Sequence, residues 1–85
     1  MNNAHRKVLL AIFFRPTKSD IRWLDVEALV IALGGTVDQK REGSRVAMTL
    51  NGVRAIFHRP HPQPTAKKGA VDAVRVFLTN AGFKP

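Results

Sequence analysis

Two histidines, His58 and His61, lie three residues apart in the stretch FHRPHP, with Arg59 between them. Imidazole has an unperturbed pKa of about 6.5, so it can accept or donate a proton near neutral pH. Arginine stays protonated and can hold a phosphate group in a planar fork of N–H donors. These residue types suit a site that handles nucleic acid. The alternative is a polar end to a β-strand with no chemical role.

Other kinds of catalytic or binding site are poorly supported by the sequence. The two histidines have no third metal ligand close by in the sequence, and Asp38 is a weak candidate. The chain has no cysteine, which excludes disulfides and thiolate metal ligands. Neither a serine elbow motif nor a glycine-rich phosphate loop is present. We therefore expect no metal and no cofactor.

Metal-free cleavage of RNA fits these residues better. RNA carries its own nucleophile, the 2′-OH, so an enzyme needs only a general base, a general acid and cations for the charged phosphorane. Lys67 and Lys68 precede a predicted helix, where cations oppose the helix dipole. A phosphate bound at that helix terminus would remove the conflict. The alternative is that both lysines are simply hydrated.

The elements that must position these residues follow from apolar spacing. Helical spacing occurs in AHRKVLLAIF, WLDVEALVIALGG and AVDAVRVFLTNAG. Strand patterns occur in TVDQKRE, RVAMTL and VRAIFHR. Asp25 and Glu27 are expected near the start of the second helix, where carboxylates suit the dipole. The order predicts an α+β fold, with a three-stranded antiparallel sheet and helices on one face.

The dipeptide Asn51-Gly52 between two strand patterns predicts a type I′ hairpin, which fixes the strand pairing from Leu50–Val53 to Arg45–His58. Alternation then gives one apolar face, formed by Val46, Met48, Leu50, Val53, Ala55 and Phe57. The opposite, open face carries Arg45, Ala47, Thr49, Arg54, Ile56 and His58. Arg45 and His58 are therefore predicted to be neighbours, with Cβ atoms about 5 Å apart. Lys40 joins this cationic face if the turn at Gly43-Ser44 has an even number of residues. The alternative is an ordinary solvated sheet face.

Composition limits the class of protein. The 85 residues suit one domain, and 14 Lys+Arg against 6 Asp+Glu give a net charge of +8, which attracts polyanions such as nucleic acid. An acidic protein partner, or a basic surface with no specific role, would also account for this charge. No apolar run approaches the roughly 20 residues of a membrane span. The N-terminal segment lacks the cleavage site of a signal peptide, so we expect the protein in the cytoplasm.

Residues 23–82 resemble the HicA family of toxins from bacterial toxin–antitoxin pairs. The resemblance rests on the segments WLDVEALVIALGG, REGSR, VRAIFHRPHP and KKGAVDAVRVFLTNAG. It implies a fold like a double-stranded-RNA-binding domain and the activity of a small basic ribonuclease that cleaves mRNA and arrests growth. It also implies a HicB-type antitoxin that covers the active face in a hetero-oligomer. Residues 1–20 lie outside the usual pattern and are predicted to be an extra helix and loop within a single domain, 1–85.

The family motif Gly-Ser-His contains the catalytic histidine, whereas this chain has Gly43-Ser44-Arg45. Because His58 is predicted opposite Arg45, the imidazole is expected to have moved across the strand pair. We therefore assign His58 as general base, Arg45 as phosphate clamp and His61 as general acid. The predicted RNA contacts are Lys40, Gly43, Ser44, Arg54, Arg59, Lys67 and Lys68. The alternative function is a non-catalytic RNA-binding or protein-interaction module that kept the fold and lost the catalytic histidine.

Overall fold

The secondary structure follows the predicted order. A computed structural model describes residues 1–39 and 43–85, and within them the elements are α1 (Asn3–Phe13), α2 (Trp23–Ala32), β1 (Thr36–Gln39), β2 (Arg45–Leu50), β3 (Val53–His58) and α3 (Lys68–Asn80). The strands pair antiparallel in the order β1-β2-β3. The predicted α+β fold, which is of the double-stranded-RNA-binding-domain type, is confirmed.

Local chemistry determines where the helices begin and end. Asn2 caps α1, because its side-chain oxygen accepts a hydrogen bond of 2.8 Å from the N–H of His5. The α2 helix is followed by Gly34-Gly35, as predicted, and Gly34 has a φ of 96° that favours glycine. A Cβ atom on Gly35 would lie only 2.6 Å from the carbonyl oxygen of Thr49. Glycine is therefore needed where the chain leaves α2 and enters the sheet.

The hairpin between β2 and β3 has the predicted turn and register. Asn51 and Gly52 have φ values of 50° and 79°, and both are positive as a type I′ turn requires. The paired residues are Leu50–Val53, Thr49–Arg54, Met48–Ala55, Ala47–Ile56, Val46–Phe57 and Arg45–His58. The register confirms the prediction that Arg45 and His58 lie opposite each other.

The two faces of the sheet differ as the alternation predicts. The inner face buries four side chains against the helices, namely those of Val46, Met48, Leu50 and Phe57. On the open face Arg45, Arg54 and His58 are exposed, and Ile56 is 45% exposed. Ala47 also belongs to the open face but is only 2% exposed, since it is small and sits on the central strand between residues of β1 and β3.

The α1 helix packs on α2 and α3 and shares their hydrophobic core through Leu9 and Ile12. A polar network also links this helix and the loop after it to α3. Arg75 donates from Nε to the carbonyl oxygen of Ile12 at 3.0 Å and from Nη1 to the carboxylate of Asp72 at 2.9 Å. The hydroxyl of Thr17 donates to the same carboxylate at 2.7 Å and accepts from Arg75 Nη2 at 3.1 Å.

Candidate nucleic-acid interface

A groove opens beside the C-terminal end of β3, between the loop that follows β3 and the first turn of α3. Its volume is about 610 Å³, within the range of pockets that hold small ligands. Its lining comprises Ser44, Ile56, Phe57, His58, Arg59, Pro60, His61, Ala66, Lys67, Gly69, Ala70 and Ala73. The groove thus brings together both histidines of the FHRPHP stretch with Lys67 from the start of the last helix.

Arg45 is paired with His58 across the strands, although it does not line the groove itself. Both residues are exposed on the open face. Arg54 is exposed on the same face but lies four residues before His58 on β3, about 13 Å along the strand, and it is not part of the groove lining. The cationic face therefore extends beyond the groove, toward the hairpin turn.

The loop that carries His61 is held to the start of α2 by backbone hydrogen bonds. The N–H of Trp23 donates to the carbonyl oxygen of Pro64 at 3.0 Å, and the N–H of Ala66 donates to that of Ile21 at 2.8 Å. These two hydrogen bonds fix the C-terminal part of the loop against α2. The exposed His61 therefore lies in a loop that is anchored beside the groove.

Arg59 is bound by a carboxylate inside the protein. Its Nε donates to Glu27 Oε2 at 2.8 Å and its Nη2 donates to Glu27 Oε1 at 2.9 Å. The hydrogen bonds to Glu27 raise the pKa of Arg59 against the opposing effect of burial. The backbone N–H of Arg59 donates to the carbonyl oxygen of Ser44 at 2.8 Å. Arg59, which is predicted to contact RNA, therefore connects three parts of the fold: the Gly-Ser turn, the end of β3 and α2.

Glu27 was expected near the start of α2 as a partner of the helix dipole, and that interpretation is wrong. Its side chain is buried, and Oε2 also accepts a hydrogen bond of 2.6 Å from the indole N–H of Trp23. Asp25 is the acidic residue in the first turn of the helix. The sequence does contain a clue, because Glu27 falls among Trp23, Val26 and Val30 on the apolar side of α2, where an acidic residue needs a partner.

The start of α3 lacks the usual side-chain cap. Lys67 is the N-cap residue and Lys68 the first helical residue; both are exposed, and no side-chain oxygen caps the helix. The first turn contains no acidic residue. Its backbone N–H groups and the two ammonium groups thus concentrate positive charge at the edge of the groove, an arrangement that favours an anion.

The remaining predicted contacts lie in or near the turn before β2. Gly43 has a φ of 60°, which glycine adopts without strain, and Ser44 lines the groove. Lys40 lies outside the described residues, so its place on the open face stays a prediction. Within the described ranges, 1–39 and 43–85, no three His, Asp or Glu residues are grouped to hold a metal ion.

The fold and this interface together define a small, strongly basic α+β protein of the double-stranded-RNA-binding-domain type, with histidines beside a cationic sheet face. Residues 23–83 match the family model described as the HicA toxin of bacterial toxin–antitoxin systems, and the chain belongs to this family. No curated protein and no solved structure matches the chain. The match begins at the first residue of α2, so α1 lies outside it.

Family membership confirms the predicted resemblance. The chain is the toxin of a toxin–antitoxin system, and the family implies an antitoxin as its partner. None of the helices in the described part of the chain is long and apolar enough to cross a membrane.

Proposed function

We propose that this toxin is a metal-free endoribonuclease that cleaves mRNA in the cytoplasm and is neutralised by a HicB-type antitoxin. The proposal rests on one observation: His58, His61 and Lys67 line the same groove. Arg45 is paired with His58 across the strands. These side chains supply a base, an acid and cations beside a face that attracts a polyanion.

The reaction that these groups support uses the 2′-OH of RNA as nucleophile. His58 removes the proton from the 2′-OH while this oxygen attacks the adjacent phosphorus. His61 donates a proton to the departing 5′-oxygen as its bond to phosphorus breaks. The products are a 2′,3′-cyclic phosphate and a free 5′-OH, so atoms and protons balance. Arg45 and Lys67 stabilise the additional negative charge on the phosphorane.

The start of α3 supports the same reaction by holding the RNA backbone. Its uncapped N–H groups, together with Lys67 and Lys68, suit a phosphate of the bound strand. Such a contact would fix the register of the strand relative to the two histidines, and positioning is a large part of catalysis.

A second candidate function is an RNA-binding or protein-interaction module without catalysis. Arg45 favours it, because this residue occupies the position at which the family motif has its catalytic histidine. The open face and the groove would then bind RNA or a protein, but His58 would transfer no proton.

The test compares three histidine variants of the purified chain in cleavage of a single-stranded RNA in the presence of EDTA. We expect His58→Ala to lower the rate about 100-fold or more, the usual contribution of a positioned acid or base, and His61→Ala to lower it by a smaller or similar factor. His5→Ala is the matched control, since His5 lies on α1, and its rate should not change.

The same variants, produced in cells, should arrest growth in proportion to their cleavage rates, and the product of the adjacent gene should relieve the arrest by the wild type. If the wild-type chain cleaves no RNA and does not slow growth, the non-catalytic module is the correct function. If His58→Ala remains fully active while Arg45→Ala is inactive, cleavage depends on charge stabilisation rather than on a histidine base at this position.

A further inference from the structure

A second groove runs along α1, on the helical side of the molecule rather than on the open face. Its volume is about 270 Å³, and it is lined by Lys7, Leu10, Ala11, Phe14 and Lys18. We call it the α1 groove. An adjoining depression of about 300 Å³ shares Lys7, Ala11 and Lys18 with it, but its lining also includes Asp20 and Asp25, so the cationic lining is confined to the α1 groove itself.

The two large apolar side chains of the α1 groove, those of Leu10 and Phe14, are not part of the hydrophobic core. Leu9 and Ile12 are the buried residues of α1, whereas Leu10 is 51% exposed and Phe14 is 52% exposed. Leu10 and Phe14 are four residues apart and line the same concave surface. Single exposed apolar residues are common, but here two of them share one concave surface that is rimmed by cations, so the groove can receive an apolar side chain of a partner.

The two charged residues that line the α1 groove are both basic. Residues 1–19 contain four of the 14 basic residues and none of the 6 acidic ones, so this segment carries half of the net charge of +8. Lys7 and Lys18 line the groove itself, and the ammonium group of Lys18 lies 4.6 Å from the centre of the Phe14 ring. A complementary ligand therefore has an apolar side chain flanked by carboxylates.

We propose that the α1 groove binds an acidic amphipathic segment of the antitoxin. This inference rests on the proposed function, because it takes the antitoxin as the partner. RNA fits less well, since Leu10 offers nothing to a phosphate backbone and Lys18 already covers a face of the ring on which a base would stack. A pocket of this volume is smaller than most small-molecule sites but accommodates one or two side chains.

The position of the α1 groove gives this contact a distinct role. The helices pack on the inner face of the sheet, and α1 packs on α2 and α3, so a segment in the groove leaves the open face free. The contact is too small to be a stable interface alone. It serves as a second attachment point, and two linked attachments bind more tightly than either one because the second contact is intramolecular.

The experiment measures the affinity of the full chain for the purified product of the adjacent gene. The test variant is Leu10→Glu/Phe14→Glu, which should weaken binding about tenfold or more, the effect typical of removing an anchor residue. The matched control is Leu24→Glu/Val76→Glu, which makes the same change at two exposed apolar residues of α2 and α3 and should alter affinity by less than about twofold.

A charge variant tests the electrostatic half of the proposal while Leu10 and Phe14 are both kept. Lys18→Glu should weaken binding and reduce its dependence on salt, whereas Lys84→Glu, at an exposed position near the C-terminal end of the chain, should change both much less. Growth arrest by these variants in the absence of antitoxin should equal that of the wild type. This comparison also shows that the variants are folded.

Each outcome decides a specific claim. If the wild type binds and all variants bind equally well, the inference about the α1 groove is wrong and the proposed function stands. If the wild type does not bind the adjacent gene product, the proposed partner is wrong and the inference fails with it. If Leu10→Glu/Phe14→Glu loses affinity for RNA but not for the antitoxin, the groove is an RNA contact and the inference is overturned.

Discussion

Glu27 and Arg59 are 32 residues apart in the sequence, and their side chains form a two-pronged ion pair at the wall of the groove. The carboxylate is buried and accepts a third hydrogen bond, from Trp23. The Arg59 side chain is 29% exposed, and this residue lines the groove. A buried carboxylate is tolerated only when its oxygens are satisfied, so this pair fixes how α2 meets the end of β3.

At the residue scale we predict that Glu27→Gln destabilises the protein by about 2 kcal/mol, because the amide leaves a hydrogen bond to a charged group unmade inside the protein. Asp25→Asn makes the same chemical change at an exposed position of the same helix and should cost less than about 1 kcal/mol. Urea unfolding of both variants measures the difference. Equal losses for the two variants would mean that the Glu27–Arg59 pair contributes no more than a surface carboxylate.

At the scale of elements, α1 and its loop are joined to α3 through Thr17, Asp72 and Arg75. The hydrogen bond from Thr17, and then that from Arg75, lowers the pKa of Asp72 below its usual range. A carboxyl group whose pKa is lowered on folding stabilises the protein above its unfolded-state pKa, and this stabilisation is lost as pH falls through the folded-state pKa.

We therefore predict that the stability supplied by Asp72 is present above about pH 4, near the ordinary pKa of aspartate, and declines as the solution is made more acidic. Asp72→Asn should lower the melting temperature at neutral pH and flatten its decline in acid. Asp38→Asn, at an exposed aspartate of β1, serves as the control. The network would be irrelevant to stability if the two variants gave parallel melting curves from neutral to acidic pH.

The β2–β3 hairpin, whose information is local, could be predicted from the sequence to the residue, whereas α3 begins at Lys68, which was predicted to precede it. The Asn51-Gly52 turn determined the register of β2 and β3, and apolar spacing located all three helices of the described chain. Contacts between distant residues could not be predicted in this way. No spacing rule connects Glu27 to Arg59 or Arg75 to Ile12, because each pair meets only after the elements pack. The groove could not be predicted from the sequence either, because its walls come from three separate segments.

At the scale of the whole molecule, positive charge lies on two sides. The open face carries Arg45 and Arg54, and the groove with Lys67 adjoins it, whereas residues 1–19 carry their cations around α1. Net charge alone attracts RNA from a distance, but only cations in contact with phosphates release bound counterions. The salt dependence of binding can therefore distinguish the open face from the other basic surfaces.

We predict that Arg45→Glu/Arg54→Glu weakens binding of single-stranded RNA and lowers the slope of log affinity against log salt by about 0.7 for each phosphate contact removed. The control, Arg6→Glu/Lys84→Glu, reverses two exposed charges away from the open face and changes the net charge equally. It should leave the slope nearly unchanged. Identical slopes for both double variants would show that the open face is only a solvated surface.

The hydrogen bond from Arg75 to Ile12 spans 63 residues of sequence and ties α1 to α3. A helix of 11 residues is marginal in water by itself, so α1 persists because its inner side is packed. Fraying of α1 from its first turn is therefore suppressed, and the backbone amides of Leu9 and Ile12 become accessible to deuterium only when the packing against α2 and α3 opens. Hydrogen exchange in α1 thus reports on the integrity of the shared core and not on local fraying of the helix.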